Sequence, residues 1–260
     1  MESILDEILE TKREEVAAAK RLIPREALED SPLFGRERLS MVRALVEAPT
    51  GVIAEFKRRS PSKGFIRAQA DAAQVVGSYA ANGASACSVL TDGPFFAGCA
   101  DDLRDARRAV AIPLLRKDFV VDTYQLYQAA AWGADAVLLI AAALPREQCR
   151  ELAAQARELG LEVLLEIHGE AELDYISPQV DLVGVNNRDL KTFVTDVRTS
   201  VRLAGMLPEG AVRVSESGID SPAAVVRLKE AGYEGFLIGE CFMRQADPGV
   251  ALSGFLSDVG

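Results

Sequence analysis

Five ionisable residues stand where short apolar runs give way to polar chain. Run 52–56 contains Glu55 and passes into Lys57; run 113–115 passes into Lys117. Run 163–167 contains Glu166, and run 211–214 is followed by Glu216. Two ammonium groups and three carboxylates gathered at one cavity would be acid-base machinery, because opposite charges in a partly dry site displace one another's pKa and can pass protons to a bound molecule. A structural ion-pair network would explain any one of these residues, but it explains all of them together less well. Asn186, after run 182–185, adds a neutral polar group to the set. Ser217-Gly218 and Gly239-Glu240 follow the last two runs, where backbone N–H groups commonly hold a phosphate. The carboxylate of Glu240 would repel an anion, so only its backbone N–H is expected to help.

The elements that must position these groups follow from the spacing of the runs. The eight runs are 52–56, 87–90, 113–115, 136–140, 163–167, 182–185, 211–214 and 236–238. They lack clean alternation, as suits parallel strands buried on both faces. Helix signals separate them. Pro145 opens one helix, Cys149, Leu152, Ala153 and Ala156 share its face, and Gly160 closes it. Ser221-Pro222 and Asp247-Pro248 are expected N-cap and first-turn pairs. Eight strand-helix units in this length predict a (β/α)8 TIM barrel, an α/β fold whose chemistry sits at the C-terminal ends of the strands. Period two puts Ile53, Glu55 and Lys57 on one face of the first strand and Val52, Ala54 and Phe56 on the other. An open doubly wound sheet is the rival, but no GxGxxG follows 52–56. Before Gly51 the pattern is helical. Ile4, Leu5, Ile8, Leu9, Val16 and Ala19 predict one amphipathic helix ended by Pro24, and 24–48 predicts a second helical segment with a turn at Ser31-Pro32. The expected organisation is an N-terminal helical extension over 1–48 packed on a barrel over 49–260.

The net charge of -10 argues against a nucleic-acid binder. It also requires any bound anion to be held by local cations or backbone amides. The stretch 57–67 supplies Lys57, Arg58, Arg59, Lys63 and Arg67, which suits a loop closing over an anionic substrate. With one histidine and four scattered cysteines, a metal site is not expected, nor a Ser-His or Cys-His nucleophile pair. His168 is expected in a polar surface or loop role. Unclustered cysteines and a start without a basic, apolar leader lead to the expectation of a cytoplasmic chain. No apolar run approaches the ~20 residues of a membrane span.

The residues also carry a resemblance. The block 53–64, IAEFKRRSPSKG, is similar to the first-strand signature of the indole-3-glycerol phosphate synthase family. The similarity continues through LRKDF at 115–119, LEIH at 165–168, GVNNRDL at 184–190, SESGI at 215–219 and LIGE at 237–240. Departures are confined to Gly93-Pro94 and Ser40-Met41. The resemblance implies ring closure, decarboxylation and dehydration of 1-(2-carboxyphenylamino)-1-deoxyribulose 5-phosphate, with no cofactor. It implies Lys117 as general acid and Glu166 with Lys57 as the acid-base pair of dehydration, with the assignment of each lysine to a step left open. Glu55 and Glu216 would position the lysines and substrate, and Asn186 would contact it. Arg188 would face the substrate carboxylate. Pro61, Phe96, Phe119, Leu138, Leu190 and Leu237 would form the apolar slot for the aromatic ring. Ser217, Gly218, Gly239 and Glu240 would cradle the phosphate, with Lys57 and Ser60 near. A small phosphorylated substrate is the expected partner, and a monomer the expected state. Another phosphate-binding barrel, such as phosphoribosylanthranilate isomerase, and a non-catalytic phosphate-ligand barrel remain as alternatives. The isomerase family places a cysteine at the end of the first strand, where this chain has Glu55 and Lys57.

Overall fold

A computed structural model describes residues 3–189 and 192–259. The strands are β1 (Val52–Phe56), β2 (Ala86–Leu90), β3 (Leu114–Lys117), β4 (Ala136–Ile140), β5 (Glu162–Ile167), β6 (Leu182–Asn186), β7 (Val212–Glu216) and β8 (Gly235–Ile238). Each pairs in parallel with its neighbours in sequence, and β8 closes on β1 through Val52–Phe236, Ile53–Leu237 and Ala54–Ile238. The result is a closed TIM barrel. Its helices are α4 (Ala72–Ala81), α5 (Ala100–Ala109), α6 (Tyr124–Trp132), α7 (Arg146–Glu158), α8 (Arg198–Ala204), α9 (Pro222–Glu230), α10 (Glu240–Met243) and α11 (Pro248–Ser257), preceded by α1 (Ile4–Leu22), α2 (Arg25–Glu29) and α3 (Met41–Val46). The crossover from β5 to β6 carries a 3-10 helix, Glu170–Tyr175, where the repeat predicts an α-helix. No helix among the described residues is long and apolar enough to cross a membrane.

The strand faces divide as period two dictates. Val52, Ala54 and Phe56 pack outward with Val76 and Tyr79 of α4. Ile53 points inward with Leu115, Leu138, Leu164, Val214 and Leu237. Met41 and Leu45 of α3 join this inner core and are fully buried, each contributing roughly 1.5–3 kcal/mol of apolar burial. Leu45 lies against the start of β8 at Gly235, so α3 plugs the N-terminal end of the barrel. The α7 face is buried as expected at Cys149, Leu152, Ala153 and Ala156.

Two local expectations need correction. Segment 24–48 does turn at Ser31-Pro32, but it is not otherwise one helical segment: α2 ends at Glu29 and α3 starts only at Met41. The bends around Pro32 and Gly35 interrupt it, and the chain beyond is tied to the barrel instead: Arg36 Nη2 and the Leu39 N–H both donate to the buried carboxylate of Asp135, at 2.5 and 2.8 Å. As expected, the strands continue past the apolar runs 113–115 and 211–214 through Lys117 and Glu216. Ser221 makes no side-chain cap on α9, whereas Asp247 accepts from the N–H groups of Gly249 and Val250.

Candidate active site

The C-terminal ends of the strands open into a cavity of about 620 Å³, the size of a small-molecule site. Helix α1 contributes Ile4, Leu5 and Ile8 to its lining, so the extension reaches both ends of the barrel. At the floor, Lys117 Nζ lies 2.9 Å from Glu166 Oε2 and 3.1 Å from Glu216 Oε2. Asn186 Nδ2 donates to the other oxygen of Glu166 at 3.0 Å. Lys57 Nζ pairs with Glu55 Oε1 at 2.5 Å. Two glycines make room for these carboxylates. A Cβ on Gly184 would sit 2.2 Å from Glu216 Oε1, and one on Gly239 would sit 2.5 Å from Glu55 Oε1.

Burial alone would discharge these groups, and their mutual field decides otherwise. Burial lowers the Lys117 pKa, but Glu166, Glu216 and Glu55 overcome it and hold the ammonium well above the usual lysine range. Burial raises the Glu166 carboxyl, yet Lys117 and His168 bring it well below the usual carboxylate range. For Glu216 burial wins: helped by the charges of Glu166 and Glu55 and opposed by Lys117, it lifts the carboxyl to about 7. One floor therefore holds a cation, a firm carboxylate and a carboxyl poised near neutrality.

Phe96 and Phe119 face each other across 6.1 Å and, with Pro61, Leu138 and Leu237, form an apolar slot beside the charges. Asp92 fixes the Phe96 loop by accepting the N–H groups of Phe95 and Phe96. Ser60 also lines the cavity. Leu190, expected in the slot, lies outside the described residues. Ser217 and Gly218 both take positive φ, 66° and 74°, and line the opposite wall with Gly239 and Glu240. Arg188 lines the cavity too, and its guanidinium donates to Ser62 Oγ at 2.6 Å. Stretch 57–67 is only partly directed at the site. Arg58 turns away to Asp102, and Arg67 donates to the carbonyls of Gln245 and Ala246. Lys57 and Lys63 remain on the cavity wall.

Sequence reasoning missed three residues here. Lys12 of α1 is buried and pairs with Asp92 at 2.8 Å and Asp118 at 3.0 Å, tying the roof helix to the residue after Lys117. Its signal was available, since Lys12 falls between Ile8 and Val16 on the apolar stripe of α1. Arg244 joins the cavity wall 3.7 Å from Glu240, and nothing in its spacing marks it. His168 is not a surface residue: its side chain is 15% exposed and reaches Glu166. The two-residue spacing from Glu166 was its signal.

The indole-3-glycerol phosphate synthase family model matches residues 5–254. The chain belongs to that family. A synthase of that name from Bacteroides thetaiotaomicron is 56% identical over 259 residues, covering all of both chains. One from Laribacter hongkongensis is 47% identical, covering 97% of this chain and 98% of its own. Among solved structures, a thiamine phosphate pyrophosphorylase from Pyrococcus furiosus shares the barrel with a TM-score of 0.62 at 14% identity, over 85% of this chain and 98% of its own. Family membership makes the chain an indole-3-glycerol phosphate synthase by activity, a carboxy-lyase of tryptophan biosynthesis. The isomerase alternative is thereby set aside.

Proposed function

We propose that the charged floor divides the family's reaction among its residues as follows. The substrate's phosphate rests against Ser217, Gly218, Gly239 and the backbone of Glu240. Its aromatic ring lies in the slot of Pro61, Phe96, Phe119, Leu138 and Leu237, with Ser60 at the edge and Arg188 toward its carboxylate. The ring carbon bearing the carboxylate attacks the ketone carbon, and Lys117 gives the ketone oxygen a proton as that bond forms. Loss of carbon dioxide returns the bonding electrons to the ring. Dehydration then removes the new hydroxyl as water together with a proton from the adjacent methylene. Glu166, held ionised, suits the base of that step, which leaves Lys57 as the acid. Glu55 positions Lys57, Glu216 positions Lys117, and Asn186 fixes Glu166.

The observation that carries this reading is the placement of Lys117 Nζ between carboxylates of β5 and β7 at the floor of a cavity with an aromatic slot. A structural ion pair would not need that slot. Mixing purified protein with the carboxyphenylamino substrate tests it. Indole fluorescence should grow with equimolar release of carbon dioxide, and binding without either product would leave a ligand-binding barrel. The same reading makes the chain a cytoplasmic monomer acting on a small molecule. Its four cysteines are free thiols, which supports a reducing compartment. Light scattering on the eluted protein tests the monomer.

A further inference from the structure

His168 is the chain's single histidine. It leaves β5 one residue past the strand's end, two residues beyond Glu166, and its ring is clamped between two carboxylates. Nε2 lies 3.3 Å from Glu166 Oε1 and Nδ1 lies 3.4 Å from Glu172 Oε2. Glu172 is itself fixed, because its Oε2 accepts the backbone N–H of His168 at 2.6 Å. A neutral imidazole offers one donor and one lone pair, so one of its nitrogens would turn a lone pair toward a carboxylate oxygen. Only the imidazolium presents N–H to both sides. The contacts are charge pairs rather than aligned hydrogen bonds, and they draw their strength from net charge on the ring.

We propose that His168 is a positioning residue for Glu166: as a cation clamped by Glu172, it holds the Glu166 carboxylate ionised and oriented toward the substrate. The proposal rests on the base role given to Glu166 above. Glu166 then has three partners from three directions, Lys117 of β3, Asn186 of β6 and His168, and only His168 comes from the segment that directly follows its own strand. The charged groups facing this cluster are Glu172 on the 3-10 helix, Glu166 on β5, Lys117 on β3 and Glu216 on β7, behind Lys117. Burial would lower the imidazole pKa, but Glu166 and Glu172 outweigh it and raise it to about 10. A histidine placed this way does not switch near neutral pH, in contrast to the usual behaviour of the side chain.

A lone histidine makes the test unambiguous, because every imidazole NMR signal of the whole chain belongs to it. In the wild-type protein both ring nitrogens should keep imidazolium shifts from about pH 6 to about pH 9, well past the ordinary imidazole value of about 6.5. Glu172→Gln should bring the titration down toward neutrality. His168→Asn should lower kcat at least about tenfold with KM changed far less, and the acidic limb of its kcat profile should move toward neutral pH, since Glu166 then protonates more easily. Glu172→Gln, which leaves both reacting neighbours in place, should shift that limb in the same direction by less. An imidazole titrating near 6.5 in the wild-type protein would overturn the proposal even if His168→Asn failed to fold. So would wild-type kcat and pH profile in a folded His168→Asn. Glu166→Gln separates the two ideas: full activity there sinks the base role of Glu166, whereas inactivity there with an unperturbed His168→Asn sinks only the proposal.

Discussion

Lys117 and Glu216 meet at 3.1 Å although β3 and β7 stand on opposite sides of the eight-stranded ring. The pair spans the barrel mouth at its floor. It exists because the inner core below it, Leu115 beneath one side chain and Val214 beneath the other, sets both at one level. Glu216 also needs Gly184 on the neighbouring β6, whose missing Cβ leaves the space its carboxyl occupies.

Gly184→Ala should therefore act on chemistry more than on folding. The added methyl would overlap Glu216 Oε1, and the carboxyl would have to turn away from Lys117. We expect kcat to fall by about 10²-fold, a loss typical of misplaced catalytic groups. Steady-state kinetics beside a thermal melt checks this, and an unchanged kcat would show that Glu216 can move at no cost.

The raised pKa of Glu216 has a signed consequence for stability. Burial, the leading cause, lifts the folded carboxyl from its ordinary 4.5 to about 7, so the folded state holds this proton more tightly than the unfolded chain. Its contribution is fully present below about 4.5 and is lost as pH rises through 7. Glu216→Gln cannot ionise. Its melting temperature should match wild type at pH 5 and exceed it by a few degrees at pH 8, on the order of what 1–2 kcal/mol gives in a chain this size. A difference that shrinks with rising pH would reverse the sign assigned to Glu216.

Lys12→Met should cost both stability and substrate affinity. It takes the ammonium from the buried carboxylate of Asp92, while Asp118 keeps Arg116 at 2.9 Å; breaking a buried pair typically costs about 3–5 kcal/mol. It also unpins α1, whose Ile4, Leu5 and Ile8 roof the cavity. The melting temperature should fall by roughly 10 °C, and KM should rise more than kcat falls. A stable variant with unaltered KM would mean that α1 is held by its apolar face alone.

Much of this site was legible in the sequence because a barrel strand exposes its chemistry where apolar runs stop. Ile53-Glu55-Lys57 and Leu164-Glu166 obey period two, and the inner face follows from it. Of the residues missed, Lys12 and His168 stood at periodic positions whose partners were not visible: those of Lys12 are distant in sequence, and Glu172 reaches His168 only through a 3-10 turn. Lys12 reads as an interruption of an apolar stripe until Asp92 and Asp118 are seen beneath it. His168 reads as a loop residue until the 3-10 turn brings Glu172 against it. Arg58 and Arg67 mislead in the opposite sense: basic residues beside a site suggest an anion, yet both serve to anchor the loop that carries Lys63.

The proposed phosphate site is open to a simple competition test. Inorganic phosphate should compete with substrate, and Lys57→Met should weaken that competition more than Lys63→Met, because Lys57 rises from the rigid end of β1 while Lys63 sits on the loop, 3.9 Å from Glu240. Competition lost with Lys63 and indifferent to Lys57 would move the phosphate from the barrel rim to the loop.

Single-turnover formation of indole-3-glycerol phosphate by Lys117→Ala, with enzyme in excess and substrate saturated, is the most direct measurement. Removing a general acid costs about 10²–10⁴-fold, and Lys117 also stabilises charge, so indole fluorescence should rise at least 10³-fold more slowly than in wild type, while phosphate still competes for the site. A Lys117→Ala protein that forms indole-3-glycerol phosphate at close to the wild-type rate would contradict the assignment of the proton on the ketone oxygen to Lys117.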